Sequence, residues 1–249
     1  MPKIIDLTAI ESFFLTISDS KAKQMVEKVG NRLPLLKRVD GIRYKDHVSG
    51  CAIGHFKILR EMLQRSGDFS PFFILEDDAW IDESAIESKN LQITVPSDTD
   101  GIYLGVSACA NNMKVMYYHS RAKVKVASCE SNDYWRVLNM LSTHAILYLT
   151  RQYAVDHLIA ITQLLAARNV SPTFFPGGHD CFVSQLQLKY KVYAMKKPLF
   201  YQSIEANGQQ SVTKITLDET IVEKVENENE LLKEKEEKFY FLFDFIDQL

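Results

Sequence analysis

The chain has 249 residues, a formal net charge of −3 and 46% hydrophobic residues, a composition typical of a globular protein with a substantial core. This slightly acidic balance does not supply the basic surface that nucleic-acid binding requires, so we expect no nucleic-acid partner. The first residues lack the basic and apolar pattern of a secretory signal, and no apolar run is long enough to span a bilayer. We therefore expect a cytoplasmic protein with no membrane span.

Apolar runs and helical patterns alternate from the start of the chain. Residues 10–18 predict a strand, and a helical pattern follows over residues 22–29. Residues 33–39 predict a second strand. Apolar residues then recur at helical spacing over residues 50–67, which predicts a helix that ends at its last glycine.

The same alternation continues to about residue 200. Strands are predicted at residues 100–106, 145–149 and 192–194, and helices at residues 150–167 and 180–188. The polar segment after residue 106 predicts a loop, with a hairpin as the alternative. Strands that alternate with helices predict an α/β fold with a mostly parallel central sheet and helices on both faces.

One stretch joins a buried strand to a cluster of acids. Residues 72–82 read FFILEDDAWID, in which an apolar run leads directly into three consecutive acids. This pattern predicts a strand buried on both faces that carries its carboxylates to the edge of the sheet, where α/β folds bind ligands. Adjacent carboxylates repel each other by about 1 kcal/mol per pair at 4 Å in water, so the cluster calls for a cation.

Side chains alternate in extended backbone, which predicts that Glu76 and Asp78 point to one side of this strand and Asp77 to the other. Two acids on one side suit Mg²⁺ or Mn²⁺, with water and substrate phosphates as the other ligands. The alternative is that the three acids only solvate the end of the strand.

The composition changes after Gly208. Residues 218–238 are rich in Glu, Lys and Asn, which predicts a solvated helix, and residues 239–249 are strongly apolar. We therefore predict one domain over residues 1–208 and a charged helical C-terminal extension over residues 209–249. The apolar end packs either on its own domain, which we favour, or on a second copy in a homodimer.

The four cysteines are far apart in the sequence and form no C-x-x-C pair. We expect reduced and mostly buried thiols rather than disulfides or zinc ligands. The cysteines are Cys51, Cys109, Cys129 and Cys181.

Several short motifs, in this order, resemble glycosyltransferase family 25, which includes bacterial lipooligosaccharide glycosyltransferases and procollagen galactosyltransferases. The match covers about residues 11–202. Its pieces are Phe14 to Met25 as the opening strand and turn, Val39-Asp40-Gly41 as an A-x-D-G turn, Gly50 to His55 as a G-C-x-x-S-H helix start, Leu75 to Ala79 as the acidic motif LEDDA, Tyr103-Leu104-Gly105, Thr143 to Leu158, His179-Asp180, and Pro198 to Gln202 as P-x-x-x-Q.

The chain also departs from the family pattern. Gly54 and Ser142 replace the usual Ser and Gly, and the family's opening N-L-x-x-R is reduced to a basic residue, Lys21. The resemblance implies a GT-A fold over residues 1–208 and a nucleotide-sugar donor, most simply a UDP-sugar. It also implies Mn²⁺ or Mg²⁺, inversion at the anomeric carbon, and a glycan or lipid-linked saccharide as acceptor.

The acidic motif is the expected metal site. Sugar transfer from a nucleotide requires the charge of the departing diphosphate to be neutralised, and a metal ion can do this as a Lewis acid. We expect Asp78 to be a direct ligand. Glu76 is expected to bind the metal through a water molecule or to bind the ribose. Asp77 is expected to orient the direct metal ligands without binding the metal itself.

Two turns at neighbouring strand ends are expected to hold the base and ribose of the donor. Their alternative role is simple turn and cap chemistry. His55, at the predicted start of a helix, is expected to meet phosphate oxygens, although a single helix-start histidine is often structural. The residues of the two turns are Thr16, Ser18, Asp19 and Asp40.

Asp180 is expected to be the general base that takes the proton from the acceptor hydroxyl. The loop SPTFFPGGHD brings it to the end of a different element from the acidic strand. Its alternative role is that of an N-cap, because it directly precedes an apolar helical pattern. His179 is the next candidate for the base.

Three function classes follow. The first is a catalytic, metal-dependent glycosyltransferase. The second is a non-catalytic module that binds a sugar nucleotide or a carbohydrate on the same scaffold. The third, a metal phosphohydrolase, shares the acids but lacks an evident D-x-D-x-[TV] nucleophile loop.

Overall fold

A computed structural model of the chain has an α/β fold. It describes the following residues: 2–44, 46–82, 91–112, 117–119, 123–129, 131–170, 178–206 and 209–228.

The elements of the first part of the chain are β1 (Lys3–Asp6), β2 (Glu11–Thr16), α1 (Asp19–Met25), β3 (Leu36–Asp40), α2 (His47–Gln64), β4 (Phe72–Glu76) and β5 (Ala79–Ile81). A 3₁₀ turn (Leu7–Ala9) follows β1, and a π-helical turn (Val26–Gly30) extends α1.

The middle part contains β6 (Gln92–Val95), β7 (Gly101–Tyr103), β8 (Ala110–Asn112), β9 (Tyr117–His119), β10 (Val124–Ala127), β11 (Tyr134–Val137) and β12 (Ala145–Tyr148). The last part contains α3 (Arg151–Val170), α4 (His179–Val183), α5 (Leu186–Lys189), β13 (Val192–Met195), β14 (Phe200–Ala206), β15 (Gln209–Thr213) and β16 (Val222–Lys224).

Nine of these strands form one sheet in the order β16-β10-β11-β13-β7-β12-β4-β2-β3. Four of its pairings are parallel and four are antiparallel, so the prediction of a mostly parallel sheet is wrong. The main reason is β12, which lies between β4 and β7 and is antiparallel to both. Parallel pairing is expected where a helix connects one strand to the next. No helix lies between β11 and β12, so this expectation does not apply to β12.

Helices cover both faces of the sheet around β4, as predicted. Phe72 and Ile74 point to the face that α2 and α3 cover, and Phe73 and Leu75 point to the face that α1 and β6 cover. All four side chains are fully buried, and burial of each stabilises the fold by about 1.5–3 kcal/mol. Strand β4 is therefore covered on both faces, and this burial fixes the position of the acids that follow it.

Three smaller sheets complete the fold. Strands β1 and β6 pair with each other, β5, β14 and β15 form a three-stranded sheet, and β8 and β9 form the hairpin that the sequence left as an alternative. The single helix predicted at residues 180–188 is two short helices, α4 and α5. Among the described residues, no helix combines the length and the apolar character needed to cross a bilayer.

The described part of the predicted extension is not a helix. Strand β15 pairs with β14, and β16 pairs in parallel with β10 at the edge of the main sheet. Trp135 Nε1 donates a hydrogen bond to the backbone oxygen of Leu217 at 2.9 Å, and both Leu217 and Val222 are buried. Residues up to 224 therefore belong to the sheets of the preceding chain. Residues 229–249, which include the second half of the predicted solvated helix and the whole apolar end, lie outside the described residues.

This attachment predicts a stability effect at Leu217, whose side chain is 2% exposed. Leu217→Ala should lower the free energy of unfolding by about 2–4 kcal/mol, because it leaves a cavity against the main sheet. The effect is measured by urea denaturation. Ile159→Ala, at a side chain that is 48% exposed, should change the free energy by less than about 0.5 kcal/mol. Equal and small effects of both substitutions would show that the segment is not part of the core.

Candidate functional site

The site is built on the carboxyl ends of three neighbouring parallel strands. In the register of β2, Thr16 lies opposite Asp40 of β3, and Leu15 lies opposite Glu76 of β4. The prediction that the first and second turns lie at neighbouring strand ends is therefore confirmed. The acidic motif follows the third strand at the same edge of the sheet.

The carboxylate of Glu76 is the best-connected group at this edge. Its Oε1 accepts a hydrogen bond from Thr143 Oγ1 at 2.7 Å and lies 3.3 Å from Nε2 of His55 and 3.5 Å from Sγ of Cys51. Desolvation would raise the pKa of Glu76, but the hydrogen bonds of His55 and Thr143 hold that pKa well below its usual value. Glu76, whose side chain is 20% exposed, is therefore a partly buried carboxylate anion.

His55 is not at the start of a helix, as the sequence suggested. Helix α2 begins at His47 with Asp46 as its N-cap, so His55 lies more than two turns into the helix. Its side chain is fully buried. The predicted contact between His55 and a phosphate at an exposed helix N-terminus therefore does not fit the structure.

His179 joins this group from α4. The imidazole rings of His179 and His55 lie 4.7 Å apart between centroids, with an angle of 46° between their planes. Burial lowers the pKa of His179 to about 3, and the charge of His55 acts in the same direction. His179 is therefore a neutral imidazole at physiological pH. The sequence analysis placed His179 only as a substitute base.

Asp77 contacts Thr16 and Lys21, at the first of the two predicted turns. Its Oδ2 accepts a hydrogen bond from Thr16 Oγ1 at 2.6 Å, and its Oδ1 accepts one from Lys21 Nζ at 3.0 Å. Both carboxylate oxygens thus have partners within the protein, which agrees with a supporting role. From the sequence, Lys21 is only the basic residue that remains of the family's opening motif. Its contact with Asp77 is not predicted from the sequence.

Asp78 has a different environment from the other two acids. Its Oδ2 accepts a hydrogen bond from Gln202 Nε2 at 2.9 Å, while its Oδ1 is buried and has no hydrogen-bond partner among the described residues. Burial first, and then the charge of Glu76, raise the pKa of Asp78 to about 6. A buried acceptor without a partner is costly, so Asp78 Oδ1 is the carboxylate oxygen best suited to a cation.

Asp180 lies in the first turn of α4, whose N-cap is Gly178. Asp180 is therefore not the N-cap, which was the alternative from the sequence. Its Oδ1 accepts a hydrogen bond from the backbone nitrogen of Cys181 at 2.9 Å, and burial raises its pKa. A Cβ atom at position 178 would lie 2.5 Å from that oxygen, so only glycine leaves room for this carboxylate.

The remaining predicted residues line the outer part of the edge. Ser18 Oγ accepts a hydrogen bond from the backbone nitrogen of Lys21, so Ser18 is the N-cap of α1. Arg38 bridges the two turns, because its guanidinium contacts Asp19 at 2.8 Å and Asp40 at 2.7 Å. The sequence analysis did not identify Arg38.

The predicted base lies in the same region as the acidic motif, because its neighbour His179 offers a ligand atom within 4.8 Å of Glu76, two residues before Asp78. Cys51 is half-buried. Desolvation raises the pKa of its thiol well above the usual value, and the charge of Glu76 acts in the same direction. The carboxylates at this edge can bind a cation. A carboxyl group whose pKa is raised toward neutral pH can also take part in proton transfer.

Comparison with protein-family models finds no match to this chain, and a search of curated proteins finds no significant relative. The resemblance to glycosyltransferase family 25 therefore stays an expectation from the motifs, and the function proposed below is argued from the site.

The raised pKa of Asp78 predicts how stability changes with pH. As the pH rises from about 4 to about 6, the unfolded chain ionises this carboxyl group before the folded chain does, so the free energy of unfolding falls. One pKa unit corresponds to about 1.36 kcal/mol, so Asp78→Asn should raise stability at pH 7 by about 1–3 kcal/mol in metal-free buffer.

Urea denaturation between pH 4 and pH 7 measures this effect. The parent protein should lose stability across this range relative to Asp78→Asn, whereas Asp133→Asn, at an exposed aspartate, should follow the parent. If all three proteins show the same pH dependence, the Asp78 carboxyl group has an ordinary pKa.

Proposed function

We propose that this chain is a metal-dependent glycosyltransferase that moves a hexose from a nucleotide diphosphate donor to a hydroxyl group of a saccharide acceptor. The observation that carries the proposal is the buried oxygen of Asp78 at the sheet edge, which has no hydrogen-bond partner among the described residues. Asp180 belongs to the same region, because its neighbour His179 offers a ligand atom within 4.8 Å of Glu76. The ordered motifs that resemble glycosyltransferase family 25 support the same conclusion.

Asp78 is the residue that would hold the metal ion. Its free Oδ1 is a hard oxygen donor of the type that Mn²⁺ and Mg²⁺ prefer, and Gln202 orients the carboxylate through the other oxygen. When bound, such an ion would neutralise the charge of the departing diphosphate as a Lewis acid. Glu76 adds negative charge nearby, although its Oε1 already has three partners.

The outer turns suit the nucleoside of the donor. The side chains of Asp19 and Asp40 are 91% and 76% exposed, so their oxygens are accessible to hydroxyl and base N–H donors. Thr16 and Ser18 are committed to hydrogen bonds within the first turn, where they hold its shape. A UDP-sugar is the first donor to test, since the motifs resemble enzymes that use nucleotide sugars.

Asp180 would act as the base. The acceptor oxygen forms a bond to the anomeric carbon, the bond from that carbon to the diphosphate oxygen breaks, and the acceptor proton passes to the Asp180 carboxylate. Displacement from the opposite side inverts the anomeric carbon. The raised pKa of Asp180 brings this carboxylate closer to the range in which a general base is most effective.

The metal role predicts a binding result. UDP should bind with Mn²⁺ present and lose at least about tenfold in affinity without it or in Asp78→Asn, because the diphosphate charge then has no cation. Isothermal calorimetry measures this. Asp82→Asn changes an acid of the same stretch whose carboxylate pairs with Lys214, and it should bind as the parent does. GDP is tested in the same way. If the parent and Asp78→Asn bind the nucleotides with equal affinity, with or without Mn²⁺, Asp78 is not a metal ligand.

The base role predicts a separate kinetic result. Asp180→Asn should retain donor binding and should melt no lower than the parent, because burial already disfavours the ionised form of Asp180. It should lower the transfer rate by roughly 10² to 10⁴, because the acceptor proton has no base. The assay first screens nucleotide sugars for slow hydrolysis with Mn²⁺, which needs no acceptor, and then measures transfer. If Asp180→Asn transfers at the parent rate, another group is the base.

The same assays separate catalysis from binding alone. A chain that binds nucleotide sugars with Mn²⁺ but neither hydrolyses nor transfers them would be the non-catalytic binding module. That outcome would contradict the proposed transferase activity while leaving the metal role of Asp78 in place.

A further inference from the structure

A second group of potential metal ligands lies beside the acidic motif. Cys51 and His55 of α2, Glu76 of β4 and His179 of α4 each offer one ligand atom, and these four atoms all lie within 4.8 Å of one another. We call this group the thiol–imidazole cluster. Three separate elements supply it, and it includes only one of the residues that the sequence identified as metal ligands.

Helix geometry explains how α2 supplies two of these residues. Cys51 and His55 are four residues apart, so they lie on the same face of the helix, one turn from each other. The helix comes very close to the sheet at Gly54, where a Cβ atom would lie 2.9 Å from Leu15 Cδ2. This close approach brings both side chains to the end of β4 and thus to Glu76.

The distances between the ligand atoms fit the edges of a tetrahedral zinc site. With Zn–S bonds of about 2.3 Å and Zn–N or Zn–O bonds of about 2.0–2.1 Å, neighbouring ligand atoms lie about 3.4–3.5 Å apart. The distance from Cys51 Sγ to Glu76 Oε1 is 3.5 Å, and that from His55 Nε2 to Glu76 Oε1 is 3.3 Å. An ion could therefore enter with little movement of these three groups.

An unsatisfied polar atom at the cluster gives a second, independent observation. His179 Nε2 is buried and has no hydrogen-bond partner among the described residues, although buried polar groups normally have one. Both histidines of the cluster are at least nine-tenths buried. A metal ion in the cluster would give His179 Nε2 the partner that it lacks, while His55 would bind the ion through Nε2, the atom that lies 3.3 Å from Glu76 Oε1.

The donor types select the metal. Thiolate and imidazole are soft or borderline ligands that favour zinc, whereas Mn²⁺ and Mg²⁺ favour oxygen. A thiolate and a carboxylate together balance the charge of Zn²⁺, and neutral imidazoles complete the set. Thr143, which donates to Glu76 Oε1 at 2.7 Å, supplies the kind of outer hydrogen bond that orients a metal-binding carboxylate.

We propose that the thiol–imidazole cluster binds one zinc ion as a structural site that fastens α2 and α4 to the end of β4. With four protein ligands the site is closed, which is the usual form of a structural zinc site. The proposal is independent of the transferase function, because it concerns a different donor set from Asp78. A zinc ion here would hold the acidic motif in place.

The first measurement is metal content and cobalt substitution. The full chain, purified without a histidine tag or chelator, should contain about one zinc ion, and Co²⁺ should replace it with a thiolate charge-transfer band and a tetrahedral visible spectrum. Cys51→Ser should lose the charge-transfer band and bind zinc at least about 100-fold more weakly. Cys129→Ser is the matched control, because that thiol donates to the backbone oxygens of Ser131 and Tyr134 and does not belong to the cluster, and it should keep the band.

A second measurement covers the case in which Cys51→Ser does not fold. Chelation of the parent should lower its melting temperature, and Zn²⁺, but not Mg²⁺ or Mn²⁺, should restore it. The proposal is overturned if the parent contains no zinc and takes up neither Zn²⁺ nor Co²⁺, or if Cys51→Ser and Cys129→Ser show the same cobalt band.

Asp78→Asn separates the two metal proposals. It should keep the zinc ion and the cobalt spectrum while it loses metal-dependent UDP binding. If a folded Asp78→Asn protein loses both the zinc ion and metal-dependent UDP binding, there is one shared metal site. That result would overturn the proposal of a separate zinc site.

Discussion

The position of the whole site depends on one partly buried carboxylate, that of Glu76. It contacts α2 through His55 and Cys51, and it contacts the segment before β12 through Thr143. The backbone nitrogen of Glu76 also donates to the oxygen of His144 at 2.9 Å. A buried charge is costly unless it is paired and hydrogen-bonded, so these elements must meet at the end of β4 for the fold to be stable.

The three acids that follow the core strand have three different sets of partners. Alternation predicted that Glu76 and Asp78 share a side, but β4 ends at Glu76 and a turn follows, so alternation no longer determines direction after that residue. Asp77 contacts Lys21 in the first turn, and Asp78 contacts Gln202 in β14. One short motif therefore joins the main sheet, the opening turn and the three-stranded sheet.

Much of the core could be predicted from the sequence, because its strands and helices bury continuous or periodic apolar residues. The prediction placed the strand before the acids correctly, and the edge where Thr16 and Asp40 meet followed from parallel neighbours. Strands β15 and β16 could not be found in this way, because their sequences, QQSVT and VEK, are short and polar. They are strands only because the neighbouring sheets offer edges with free hydrogen-bonding groups.

The thiol–imidazole cluster shows a different limit of sequence analysis. Its one local signal is the spacing of Cys51 and His55, which places two potential ligands on one helix face. From the sequence, these two residues are interpreted separately, as a buried thiol and a helix-start histidine. Nothing in the local sequence brings His179 to them, since that contact depends on the packing of α4 against α2.

Charge balance at this edge explains why two kinds of cation would not compete there. Lys21 and Thr16 donate hydrogen bonds to Asp77, and the other members of the thiol–imidazole cluster lie around Glu76, whereas Asp78 Oδ1 is buried and has no hydrogen-bond partner among the described residues. A soft ion gains most from the thiolate and the imidazoles, while a hard ion gains most from a carboxylate with phosphate and water. The rigid zinc-type donor set would hold the end of β4 in place, and Asp78, two residues further along, would be left to bind an ion that enters and leaves with the substrate.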